Sequence, residues 1–177
     1  MASSPSPPRT GTAPLPRLGV AEAFEILRTT VPKLEAMARD ATPSQLTGHT
    51  AYGWSVTEQL AHLRGVAEVL GGHMMRIVLE DHPSWRARGP RSRPGETDYF
   101  EWDFGPALEV FRTQRAELLA VIEPLPATAW ERTATVLAPP NVIYEYSVLY
   151  YGDWIARHER SHLKHMAKII GELPFES

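Results

Sequence analysis

From Tyr150 to Ile170 the chain reads YYGDWIARHERSHLKHMAKII, and the period of this stretch decides the fold. With Val148 in front of it, Tyr151, Ile155, His158, His162, His165 and Ile169 recur at steps of three and four, one face of an α-helix. The sequence predicts a helix from about Tyr144 to Ile170 whose histidines continue the buried stripe. His158 and His162 stand one turn apart, a spacing that points two imidazoles at one divalent cation.

The same period recurs upstream. Phe24, Leu27, Val31, Leu34 and Ala38 form an amphipathic stripe, which Pro32 is expected to kink or break. Ser55 and Glu58 have the spacing of a capping box ahead of Leu60, Leu63, Ala67, Leu70, Met74 and Ile77, a second helix that should end near Asp81. Asp103 is placed to cap a third, with Pro106 in its first turn and Leu108, Phe111, Leu118 and Ile122 on one face. The Arg- and Pro-rich stretch SWRARGPRSRPGETDYFEW, residues 84–102, is long enough to cross the length of a bundle, and 123–143 is a second long connector. With no alternating strand pattern and no internal repeat, the expected fold is all-α: a four-helix bundle with a long crossover between helices 2 and 3, up-down-down-up. Residues 1–17, rich in Pro, Ser and Thr, read as a flexible tail, and 18–177 as the bundle domain.

Composition narrows the function. At 177 residues, 43% hydrophobic and 22% charged, the chain can bury a sizeable core. Its net charge of -3, from 18 basic and 21 acidic residues without long runs of one sign, gives no reason to expect nucleic acid. Zero cysteines exclude disulfides, a thiolate metal ligand and a thiol nucleophile of its own, so any thiol chemistry uses an outside thiol. No segment approaches the roughly 18 apolar residues of a membrane span, and the N-terminus lacks the order of a signal peptide, so the expectation is a cytoplasmic protein without a membrane partner.

A buried imidazole without a partner costs about 1–3 kcal/mol, so each histidine on a core-facing stripe needs a hydrogen bond or a metal. His158 and His165 lie about 10 Å apart along the helix axis, too far to share one ion, so a third ligand must come from another helix. A crossover between helices 2 and 3, followed by a turn back, sets helix 4 antiparallel to helix 2 and brings His62 level with His162. His73, about 16 Å further along, then lies out of reach. A crossover in the second connector as well would reverse that pairing. His158-Glu159-Arg160-Ser161-His162 also reads as H-E-x-x-H, the zinc-peptidase pattern with Glu as general base. The metzincin extension fails, since His165 and Lys168 stand where Gly and His are required, and no sheet edge is expected to hold a peptide.

Trp54-Ser55-Val56-Thr57-Glu58-Gln59-Leu60-Ala61-His62-Leu63, together with His158-x-x-x-His162 in the last helix, resembles the DinB-like family of metal-binding four-helix bundles, which includes enzymes of the thiol-dependent transferase type. The resemblance covers about residues 20–172. It implies a three-histidine metal site formed by His62, His158 and His162. His165 departs from the polar residue expected at its position and is expected to be an outer-sphere donor, a substrate contact or an alternative ligand; Tyr151 is a second candidate of that kind.

Three neutral imidazoles leave positions open on a divalent ion, Zn(II) or Ni(II), where water or a thiol can bind. The leading expectation, which draws the thiol from the resemblance, is a metal-dependent S-transferase that activates a low-molecular-weight thiol toward an electrophile. The alternatives are a non-catalytic stress-response module holding a metal or small molecule, with a homodimer through an exposed helix face as its expected assembly, and a metal-assisted hydrolase. Glu58 is assigned to helix capping, and Tyr144, Tyr146, Tyr150, Tyr151 and Trp154 to the core, with the lining of a pocket as the competing reading. Arg86, Arg88, Arg91 and Arg93 are assigned to solvated loop charge, with attraction of an anionic thiol as the competing reading.

Overall fold

A computed structural model describes residues 7–51, 53–87 and 98–172. Its helices are α1 (Val20–Asp40), α2 (Pro43–Thr47), α3 (Val56–Val66), α4 (Gly72–Leu79), α5 (Phe104–Ile122) and α6 (Val148–Glu172). A π-helical segment, Ala67–Gly71, joins α3 to α4, so the second helix is one run with a widened turn rather than the regular helix its stripe suggested. That run, α1, α5 and α6 pack as the four long members of a bundle.

Some helices start where the sequence supplies a side-chain partner for the free backbone N–H groups. At α3 the Ser55 hydroxyl accepts from the Glu58 N–H at 3.2 Å, and the Glu58 carboxylate accepts from the Ser55 N–H at 2.7 Å, the expected capping box. Asp103 stands at the N-cap of α5, but its side chain makes no capping bond. The expected break at Pro32 does not occur: α1 runs through it, because Leu27, Val31 and Leu34 on both sides are buried in the core.

The apolar stripes meet in two clusters. One gathers Leu27, Met74, Ile77, Leu118, Ile122 and Ile155; the other gathers Leu34, Leu60, Leu63, Phe111, Leu163 and Met166. Contacts between the second helical run and α6 descend as the numbering rises. Gln59 bonds to His162 and His62 to His158, His73 packs on Tyr151, and a Cβ at Gly152 would lie 3.5 Å from the Met74 methyl. The two therefore run in opposite directions.

The chain is mostly helical but not all-α. Among the described residues four strands, β1 (Arg9–Thr10), β2 (Ser84–Arg86), β3 (Thr133–Ala138) and β4 (Val142–Ser147), form a sheet in the order β1-β4-β3-β2. β3 and β4 pair antiparallel, from Thr133 opposite Ser147 to Ala138 opposite Val142, while β1 and β2 add parallel edges. The second connector is thus largely a hairpin, and α6 begins at Val148 rather than near Tyr144. The Ser147 hydroxyl accepts from the Tyr150 N–H at 3.0 Å at that start. Residues 9 and 10, assigned to a flexible tail, are held by β4, and the Leu18 N–H donates to Asp153 at 3.0 Å.

An ion pair crosses the core. Arg115, 2% exposed on α5, donates to Glu159, 1% exposed on α6, and the Thr30 hydroxyl of α1 donates to the same carboxylate at 2.8 Å. Burial pushes the Glu159 carboxyl above its usual range, opposed by Arg115 and Thr30. Nε and one terminal nitrogen of Arg115 are buried without a hydrogen-bond partner among the described residues, so the desolvation of the guanidinium is incompletely offset. Glu159→Ala, which strands that guanidinium, is expected to destabilise the metal-free protein by about 3–5 kcal/mol in denaturant unfolding, and Arg115→Met with Glu159→Leu to recover most of the loss.

Candidate metal centre

α3 and α6 bring three imidazoles together because their contact register sets His62 against the turn between His158 and His162. The Nε2 of His158 lies 3.2 Å from that of His62 and 3.3 Å from that of His162. Ring centroids are 4.9 Å apart for His62 and His162, 5.0 Å for His62 and His158, and 4.5 Å for His158 and His162. All three residues are half-buried, and among the described residues theirs is the one group of three or more potential ligands whose donor atoms lie within 4.8 Å of one another.

The protons on these rings leave lone pairs for a cation. The Nδ1 of His162 lies 3.0 Å from the side-chain oxygen of Gln59, an acceptor, so the ring proton sits on Nδ1 and Nε2 carries a lone pair. The Nε2 of His158 has either a lone pair or one proton, yet it faces two neighbouring nitrogens. Bringing ring nitrogens this close inside a half-buried site is explained by a cation at their focus. The edge of a tetrahedral zinc site with Zn–N bonds of 2.0–2.1 Å is about 3.3 Å, which these separations match. The donor set therefore fits a divalent ion held by His62, His158 and His162.

Electrostatics keep the rings in ligating form. Burial, then the imidazole of His62, holds His158 down to about 4. Burial, then His158, His62 and His165, holds His162 down to about 3. Both are neutral at pH 7. Two tryptophans wall the cluster: Trp154 stacks on His158 at 4.7 Å, and Trp54 meets His62 edge-on at 5.1 Å with Phe100 beyond it at 5.8 Å.

The other candidates fall elsewhere. His165 is exposed, its ring 6.4 Å from that of His162, so it does not continue the buried face. Tyr151 is 5% exposed and packs with His73, Trp85, Tyr146 and Tyr150, about 10 Å along the helix axis from His158. Glu58 caps α3 and pairs with His49 at 2.8 Å. Arg86 lies on edge strand β2, and Arg88, Arg91 and Arg93 lie outside the described residues. Glu159 of the H-E-x-x-H string faces Arg115 and Thr30, which rules out its use as a base at the histidines. Sequence reasoning missed Gln59. The signal was its position three residues before His62, on the same face of α3.

No curated protein matches the chain. Among solved structures, YfiT from Bacillus subtilis, described as a probable metal-dependent hydrolase with an unusual four-helix bundle topology, aligns with 90% of this chain and 93% of its own. The TM-score is 0.66 and the sequence identity 17%, a likeness of fold. The model of the DinB superfamily matches residues 26–166, a span that contains all three converging histidines, and the chain belongs to that superfamily.

Proposed function

We propose that the protein holds Zn(II) or Ni(II) on His62, His158 and His162 and uses the site to transfer a low-molecular-weight thiol to an electrophile. The observation that carries the metal is the convergence of the three Nε2 atoms; the thiol rests on the resemblance of the Trp54–Leu63 and His158–His162 motifs to the DinB-like family, which includes enzymes of the thiol-dependent transferase type. The order of contacts between α3 and α6 supports reading the bundle as up-down-down-up, with the crossover between helices 2 and 3.

A divalent ion held by His62, His158 and His162 would supply Lewis acidity that favours the thiolate form of a thiol at neutral pH. The chain's own residues prepare that site. Gln59 fixes the tautomer of His162, so its lone pair faces the site. Trp54 and Trp154 cover the rings of His62 and His158 and limit water around them. Glu159 contributes to the position of α6 rather than to proton transfer.

A second reading, metal-assisted hydrolysis through bound water, is favoured by the description of YfiT as a probable metal-dependent hydrolase. Thiol-dependent consumption of a generic electrophile separates it from cleavage of a panel of esters and amides.

His162→Ala is expected to abolish both metal uptake and thiol transfer, with metal content measured by elemental analysis of protein purified without a metal-affinity tag. Transfer that survives in metal-free protein overturns the proposal. The depressed histidines also set a pH dependence. In the unfolded chain they protonate near 6.5, whereas in the fold His158 and His162 resist protonation to about 4 and about 3. Across that window the unfolded state binds more protons, so the stability of metal-free protein falls as pH drops from about 6.5 toward 3. Thermal unfolding across that pH range checks the slope, which His158→Gln should reduce.

A further inference from the structure

Gln59 does more than fill space behind the histidines. It is 3% exposed, its side-chain oxygen lies 3.0 Å from the Nδ1 of His162, and it sits one turn before His62, so the helix that supplies one ring also orients another. The choice of an amide there has an electrostatic consequence. A carboxylate in that place accepts the ring proton more strongly and adds a negative charge. The acidic side chains on these helices nearest in sequence to the histidines are committed elsewhere: Glu159 to Arg115 and Thr30, Asp153 to Arg157 and the Leu18 N–H, Glu58 to His49 and the Ser55 N–H. Among the described residues the cluster contains three imidazoles and no acid.

We propose that Gln59 is the positioning residue of His162, and that its uncharged amide leaves the site with the full charge of a bound divalent cation, so that the site selects an anionic small ligand, a thiolate before a neutral donor. The inference rests on reading His62, His158 and His162 as the metal ligands, and it assigns to one side chain both the aim of a ring and the charge preference of the site.

Cobalt(II) absorption tests it in the full chain, with mercaptoethanol as the thiolate probe and imidazole as the neutral one. Gln59→Met, close in shape but without an acceptor, is expected to weaken cobalt binding about 10–100-fold. Gln59→Glu is expected to bind cobalt at least as tightly as the native protein, yet to bind mercaptoethanol about tenfold more weakly with imidazole affinity unchanged. A packing role alone moves the unfolding midpoint of both metal-free variants and leaves the ratio of the two probe affinities constant. Gln59→Met with native cobalt affinity overturns the positioning role. Gln59→Glu with an unchanged ratio of mercaptoethanol to imidazole affinity overturns the charge selection. Native protein that takes up no cobalt overturns the three-histidine reading itself, an outcome separate from either result on the variants.

Discussion

One ring nitrogen with two like neighbours is the constraint around which this molecule is organised. The Nε2 of His158 faces those of both His62 and His162, and with the proton of His162 placed on its far side by Gln59, one proton shared among the three serves them only as a bifurcated hydrogen bond. A divalent cation can take a lone pair from each. Burial then favours it over protonation, because charging His158 or His162 in the fold is disfavoured until the pH is well below neutral.

Rotation of α6 about its axis is what makes that arrangement possible, and the core controls it. Ile155, Glu159, Leu163 and Met166 face inward, with Glu159 held by Arg115 and Thr30 from two other helices. Their direction turns His158 and His162 toward α3 along the edge of the buried face. At the other end of the helix, β4 leads directly into Val148, and Gly152 permits close passage of Trp130, whose ring lies 3.0 Å from where a Cβ would stand. The short string H-E-x-x-H is therefore divided between two tasks: its histidines belong to the site and its glutamate to the packing of the bundle. A sequence pattern at i and i+4 carries the first of these tasks but not the second, which depends on a partner 44 residues away.

Much of this was legible in the residues. The capping box at Ser55, the three- and four-residue steps of the long helices, and the levelling of His62 with His162 follow from local chemistry plus one assumption about helix direction, while the full set with His158 is what the family resemblance implies. The stripe on α6 was centred wrongly. Glu159 and Arg115 break the expectation that core positions are apolar, so the buried face was placed over the histidines and His165 was drawn inward, whereas it is exposed. The hairpin was written in β-branched and aromatic residues, Thr133, Thr135, Val136, Val142, Ile143, Tyr144 and Tyr146, but Tyr144 and Tyr146 also suit the start of a helix. β1 and β2 are two or three residues long and are fixed by pairing with strands far along the chain, which no local pattern announces.

The most direct test of the central claim is X-ray absorption at the metal edge of protein purified without an affinity tag. The account predicts one first shell with three nitrogen scatterers at about 2.0–2.1 Å, carrying the multiple-scattering signature of imidazole. A first shell without imidazole, or protein that retains no metal in the presence of Zn(II) and Ni(II), contradicts it.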